Sequence, residues 1–179
     1  FKTSLNKLSL EKKFSLLKNL ELKNKVPYMI FTSGTTSKQK GVVIAEKSYL
    51  DYLKWTSKEF ISYKNLKSLI LTSELNFDIT FGDIAFALFS NCKIVVAKNN
   101  SNIFEIIQLI DKFKIEVMYT VPNLFKLLFI VLKKYKISKT IKLFMSGGEV
   151  LNKQICVDAK KLFPKSNFYN VYGPTECTI

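Results

Sequence analysis

The chain has no arginine and no histidine, and only three cysteines, four prolines and one tryptophan among 179 residues. Each shortage removes a class of chemistry. Without histidine there is no Ser-His-Asp or Cys-His nucleophile, because the hydroxyl or thiol has no imidazole to take its proton. Cys92, Cys156 and Cys177 stand singly and far apart, which excludes a disulfide framework and a cysteine-rich zinc site. An odd, unclustered count fits a reducing, cytoplasmic setting, and Cys177 reads as a small packing residue. Long apolar runs are also missing. The longest, such as Leu127 to Leu132, have about six residues, against about 20 for a membrane-spanning helix. No membrane contact and no signal peptide are expected. The first residue is Phe rather than Met, so the chain is expected to begin inside a longer one.

The formal net charge of +14 raises the question of a polyanion partner. All 28 basic residues are Lys. Base readout usually relies on the planar arginine fork, which pairs bidentately with guanine, and the lysines here are scattered rather than clustered. They read as a solvated surface, with no nucleic acid as partner.

What is present is an ordinary globular composition, 47% hydrophobic and 23% charged, with fifteen Phe and eight Tyr to fill a core. There is no repeat, no low-complexity stretch and no linker rich in Gly, Pro or Ser, so residues 1–179 read as a single domain. Short apolar runs predict strands over 27–32, 41–45, 69–72, 93–97, 116–120, 141–145 and 166–171. Amphipathic or apolar stretches predict helices over 46–60 (with Tyr49, Leu50, Leu53 and Trp55 buried), 78–89, 102–114 (capped at Asn102, with Glu105 three residues on), 122–135 and 152–163. Strands alternating with helices of this length predict a layered α/β fold with a largely parallel sheet. Ligands in such folds bind at the carboxyl ends of strands. Three predicted strands end in polar, glycine-containing turns, after Thr32, Met145 and Val171, which points to one shared site.

Four motifs carry the chemistry. Phe31-Thr32-Ser33-Gly34-Thr35-Thr36-Ser37-Lys38-Gln39-Lys40-Gly41 offers hydroxyls, a backbone freed by Gly34 and lysine charge, parts suited to a polyphosphate. It is not a Walker A loop, since Gln39 and Gly41 stand where that motif needs Gly and Ser or Thr. Taken alone it is equally a polar surface loop. Asn76-Phe77-Asp78-Ile79-Thr80-Phe81 opens an apolar helix. Asp78 is there either a cap or an anion for a substrate ammonium. Ser146-Gly147-Gly148-Glu149 lets a flat ring approach the backbone, or is a plain strand-to-helix turn. Asn170-Val171-Tyr172-Gly173-Pro174-Thr175-Glu176 combines an aromatic face, a rigid turn, a hydroxyl and a carboxylate, a set able to hold adenine, phosphate and magnesium.

In this order the motifs resemble those of the adenylate-forming superfamily of acyl-CoA synthetases, luciferases and nonribosomal-peptide adenylation domains. FTSGTTSKQKGV looks like its phosphate-binding signature, with Ser37 and Gln39 in place of the usual Gly and Pro. NVYGPTE looks like its adenine signature, and FDIT like the amino-acid-activating form of its intermediate motif. The similarity runs from about Val26 onward, and D-alanine–carrier-protein ligases and peptide-synthetase adenylation domains are the nearest branches. It implies ATP-dependent activation of an amino acid as its acyl-adenylate, then transfer to the phosphopantetheine thiol of a carrier protein. By resemblance, Thr32, Ser33, Gly34, Thr35, Thr36 and Lys40 embrace the β- and γ-phosphates. Gly148, Tyr172 and the adjoining Gly173 hold adenine, with Asn170 at its amino edge. Thr175 touches the α-phosphate and Glu176 binds Mg2+; Lys40, Thr175 and Glu176 are the implied catalytic groups. Asp78 pairs with the substrate ammonium, while Ile79, Gly82, Thr120, Phe144, Ser146, Val171 and Ile179 line a pocket for a small or uncharged side chain. The family's ribose-binding Asp and its C-terminal lid domain with the late Lys fall outside these residues, so the isolated chain is expected to be inactive. An acyl- or aryl-CoA ligase piece and a non-catalytic nucleotide-binding remnant remain alternatives; Asp78 argues against the former, since those acids carry no ammonium.

Overall fold

The computed structural model describes residues 26–32, 40–135 and 137–179. It begins with an antiparallel hairpin, β1 (Tyr28–Thr32) and β2 (Lys40–Ile44), in which Tyr28 faces Ile44 and Thr32 faces Lys40. Helix α1 (Glu46–Glu59) follows. An alternating series comes next: β3 (Ser68–Leu71), α2 (Ile79–Ser90), β4 (Lys93–Val96), α3 (Ile103–Phe113), β5 (Val117–Thr120), α4 (Pro122–Leu132), β6 (Leu143–Ser146), α5 (Lys153–Leu162) and β7 (Asn167–Asn170). The five later strands form one parallel sheet in the order β4-β3-β5-β6-β7.

The expectation of an α/β fold with a largely parallel sheet holds, with one change: β1 does not belong to that sheet. Only residues 33–39 separate β1 from β2. A parallel partner needs a crossover of a dozen or more residues, so a link this short closes an antiparallel pair.

Strand alternation divides the core in two. Leu69, Val117, Tyr119, Leu143 and Met145 point to one face of the sheet, against Ile79, Phe86 and Phe89 of α2 and Phe60 beyond α1. Ile70, Val95, Met118 and Phe144 point to the other, under Ile106, Ile110, Phe125, Phe129 and Ile155 of α3, α4 and α5. Strands buried on both faces read as continuous apolar runs rather than as alternating ones. The whole of β3, β5 and β6 is buried accordingly.

Local chemistry fixes the helix ends. The Asn102 carboxamide accepts from the amides of Phe104 and Glu105, as its sequence position predicts. Glu105 does not close a capping box on Asn102; it reaches back and accepts from the amides of Lys98 and Asn99. Asn152 caps α5 through the amide of Gln154. In α1 the inward positions are Leu53 and Thr56, with Tyr49 and Tyr52 half-buried. Trp55 falls off that stripe and is 44% exposed, contrary to its expected burial. Helix α4 also ends three residues early, at Leu132. Among the described residues no helix is long and apolar enough to cross a membrane.

Asp83, within α2, is fully buried, and neither carboxylate oxygen has a hydrogen-bond partner among the described residues. Burial pushes its carboxyl well above the usual carboxylate range. The folded state therefore binds this proton more tightly than the unfolded chain, so the group costs stability as pH rises from about 4 toward its raised folded value. Asp83→Asn removes that cost. Urea unfolding of the full-length protein between pH 4 and 8 should show the variant gaining on wild type as pH increases; a pH-independent difference would contradict the assignment.

Candidate functional site

Parallel pairing sends the carboxyl ends of β3, β5, β6 and β7 to one edge of the sheet. The strand order reverses between β3 and β5, since β4 lies on one side of β3 and the later strands on the other. A crevice for ligands forms at such a reversal. The chain leaving β3 leads to Asp78, and β5 ends at Thr120. At the same edge, the Gly147 amide donates to the carbonyl of Thr120 and the Val171 amide to that of Ser146, at 3.3 and 2.7 Å. Three of the four motifs thus meet at one rim.

A side-chain bond joins the second motif to the fourth. Thr175 donates its hydroxyl to the Asp78 carboxylate, Oγ1 to Oδ2, at 2.6 Å across 97 residues of sequence. Asp78 stands at the N-cap position of α2, but its side chain makes no capping hydrogen bond and its backbone is already helical, with φ −65° and ψ −30°. An N-cap residue that accepts from the following amides has extended dihedrals, so the capping account of Asp78 fails on geometry.

The first motif is held nearby through aromatic packing. Tyr28 of β1 stacks on Phe81 of α2, with ring centroids 3.9 Å apart, and meets Tyr49 of α1 edge-on. Tyr49 donates its hydroxyl to the Phe81 carbonyl at 2.9 Å. Burial raises the Tyr49 phenol to about 12, so it stays protonated, and able to donate, at neutral pH. Strand β2 packs beside the short 3-10 turn Thr175–Cys177. The hairpin therefore sits on the same helix start that carries Asp78.

The expected site residues divide as follows. Ile79, Val171 and Ile179 pack into the core cluster under α2, and Gly82 is buried beside them. Thr120 and Ser146 are buried at the ends of β5 and β6, the latter with an unpartnered hydroxyl. Gly148, Asn170, Tyr172, Gly173 and Glu176 are exposed, as is Lys40, while Thr32 is half-buried. Gly148 has φ +81°, a backbone open to glycine and strained for other residues. Glu149, the last residue of its motif, accepts from the Asn123 amide at 3.2 Å and so satisfies the start of α4. Ser33, Gly34, Thr35 and Thr36 lie outside the described residues.

Phe144 is not brought to the others. It is fully buried on the far face of the sheet, among Phe125, Phe129, Phe163 and Phe168, with centroids 5.2 to 5.8 Å away. Strand alternation is the reason: its neighbours Leu143 and Met145 face α2, so Phe144 cannot. Conversely, sequence reading passed over Tyr119 and Tyr52, whose side chains lie against Gly82. Nothing in their local sequence distinguishes them from core residues.

A cavity of about 520 Å³ opens between α1 and the 171–179 segment, lined in part by Tyr52, Trp55, Val171, Tyr172, Glu176 and Ile179. Asp78, Thr120 and Gly148 do not line it. Among the described residues no three His, Cys, Asp or Glu side chains converge as a metal cage. A lone exposed carboxylate, Glu176, fits magnesium nonetheless, because that ion keeps several waters and is carried largely by substrate phosphates.

Residues 6–179 match the family described as AMP-binding enzyme. The chain belongs to this family. It is 32% identical over 155 residues to a dimodular nonribosomal peptide synthase of Bacillus subtilis (strain 168), covering 85% of this chain and 6% of that one. It is 26% identical over 154 residues to indigoidine synthase of Dickeya dadantii (strain 3937), covering 85% and 10%. The chain thus spans a tenth or less of the length of these two curated relatives. Among solved structures, the Vibrio cholerae adenylation domain AlmE, in complex with glycyl-adenosine-5'-phosphate, superposes with a TM-score of 0.77 at 21% identity, over 93% of this chain and 31% of that one. The nonribosomal peptide synthetase FmoA3 in an AMPPNP-bound form gives 0.76 at 21% identity, over 85% and 16%. The α/β architecture of the AMP-binding enzymes is thereby shared.

The Thr175 bond generates a prediction independent of activity. A hydrogen bond to a charged acceptor is worth about 1.5–3 kcal/mol. Thr175→Val should free the 171–179 segment and accelerate its amide hydrogen exchange about tenfold or more, while Thr175→Ser should leave it near wild type. Equal exchange in all three proteins would mean that the bond holds nothing in place.

Proposed function

We propose that the chain is part of an enzyme that activates an amino acid with ATP, forming the aminoacyl-adenylate, and passes it to the phosphopantetheine thiol of a carrier protein. The observation that carries this reading is the 2.6 Å bond between Thr175 and Asp78. It sets the hydroxyl expected at the α-phosphate against the carboxylate expected at the substrate ammonium. Adenylation needs those two groups within one residue's reach, because the amino acid's carboxylate attacks the α-phosphorus itself. Membership of the AMP-binding enzymes and the peptide-synthetase relatives support the same reading.

The chemistry asks little of the protein as an acid or base. One carboxylate oxygen of the amino acid forms a bond to the α-phosphorus, the bond to the bridging oxygen breaks, and pyrophosphate leaves with its electron pair. Positioning and charge neutralisation suffice, which accords with a chain devoid of histidine. Asp78 orients the amino acid through its ammonium. Thr175 donates to the α-phosphate, and Thr32 to Thr36 with Lys40 hold the β- and γ-phosphates. Tyr172, 91% exposed at the rim, offers its face to adenine beside Gly148 and Asn170. Magnesium, held by Glu176 with the phosphates, would supply charge neutralisation. The wall formed by Ile79, Gly82, Val171 and Ile179 carries no charge, so the side chain accepted is small or uncharged.

Amino-acid-dependent exchange of labelled pyrophosphate into ATP by the full-length protein tests the reading. Exchange with fatty or aryl acids and with no amino acid would replace it by an acyl- or aryl-CoA ligase. In the same assay Asp78→Ala should raise KM for the amino acid by the equivalent of about 2–5 kcal/mol, the cost of removing one partner of a desolvated charge pair. KM for ATP should change little. An equal loss for both substrates would make Asp78 a structural residue.

A further inference from the structure

Gly82, four residues on from Asp78, is closely surrounded. A methyl group placed on Gly82 would lie 3.0 Å from Cε1 of Tyr119, 3.2 Å from the Tyr52 hydroxyl and 3.3 Å from Cγ2 of Ile179. On Gly147 it would lie 3.1 Å from the Tyr119 hydroxyl and 3.1 Å from the Val171 carbonyl. The Tyr119 ring therefore spans from α2 to the turn after β6, touching one glycine with its edge and another with its hydroxyl. It is 3% exposed, and it packs in the same cluster as Ile79, Val171 and Ile179.

Asp78 and Gly82 are four residues apart, hence on one face of α2 and separated by about 6 Å along its axis. A substrate whose ammonium pairs with Asp78 uses about 3 Å of that distance in the contact itself. The Tyr119 ring edge, with the Tyr52 hydroxyl and Ile179, stands against Gly82 and so bounds that face of the helix one turn beyond Asp78.

We propose that Tyr119, backed by Tyr52, is the floor of the amino-acid side-chain pocket and restricts the substrate to the size of glycine, alanine or serine. This rests on the adenylation reading. The ring is a specificity-determining wall and takes no part in the chemistry. Its stiffness comes from contacts on both sides, so a larger substrate cannot displace it without disturbing α2 or the Gly147 turn.

The test is pyrophosphate exchange by the full-length protein with glycine, alanine, serine, leucine and phenylalanine. A hydrophobic pocket discriminates about 10–200-fold per methylene, so wild type should favour alanine over leucine in kcat/KM by at least about tenfold. Tyr119→Ala should shift the leucine-to-alanine ratio upward by a similar factor with little change in KM for ATP. Tyr119→Phe, which keeps the ring, should leave the ratio unchanged. Should Tyr119→Ala fail to fold, binding of glycyl-, alanyl- and leucyl-sulfamoyl-adenosine to wild type gives the same ranking without a variant, with leucyl weakest by about tenfold or more. Exchange with leucine or phenylalanine as fast as with alanine, or equal binding of the three analogues, would remove the floor and leave adenylation standing. Exchange with no amino acid at all would remove the adenylation reading and the floor with it.

Discussion

Parallel pairing is the constraint on which the site depends. Each of β3, β5, β6 and β7 runs in the same direction, so each must deliver its following segment to the same edge. Helices α2 to α5 exist to bring the chain back for that purpose, and their amphipathic or apolar sequences bury both faces of the sheet. The consequence is that residues scattered from 78 to 179 are gathered without any direct sequence signal between them. Reversal of strand order between β3 and β5 then opens the rim just where Asp78 and Thr120 arrive. The hairpin β1–β2 lies outside this arrangement. It reaches the rim through the Tyr28–Phe81 stack, so its position depends on aromatic packing rather than on strand pairing.

The division of the carboxylates within α2 follows from their surroundings. Asp78 is half-buried and accepts a hydrogen bond from the Thr175 hydroxyl. Asp83, little more than one turn later, has no donor and no water-facing surface among the described residues, and is pushed toward the neutral acid. Two identical side chains at one helix thereby stand in different surroundings: one meets a hydroxyl donor at the rim, and the other lies in the core without a partner among the described residues. The difference is set by which face of α2 each occupies.

Local signals were readable in the sequence and non-local ones were not. The helix starts at Asn102, Pro122 and Asn152 could be located because capping chemistry is confined to a few consecutive residues. The strand assignments hold to within one or two residues because β3, β5 and β6 are buried on both sides and carry uninterrupted apolar runs. The partner of Asp78 was illegible, being 97 residues away. Phe144 was placed with the site by resemblance alone, and a fully apolar strand carries no alternation to say which residues point up or down. For the same reason nothing local set Tyr119 apart. Its distinguishing feature is a pair of glycines on two other elements, and only the fold brings them against its ring.

Under the proposed adenylation, the absence of histidine and arginine from this chain is no obstacle. A reaction whose nucleophile and leaving group both belong to substrates needs a frame that fixes distances and supplies fixed charge and hydrogen-bond donors. Hydroxyls, lysine ammoniums, carboxylates and backbone amides are enough for that, and all of them occur in the four motifs. What such a frame cannot do is relax without losing rate, since a displacement of about 1 Å in a positioning group can cost about a hundredfold. This accounts for the investment in rigidity around a rim that is itself exposed: the Thr175–Asp78 bond, the Tyr28–Phe81 stack and the Tyr119 ring wedged between two glycines each tie a motif to a different part of the core. The exposed residues at the rim, Tyr172 and Glu176 among them, stand directly beside this buried framework.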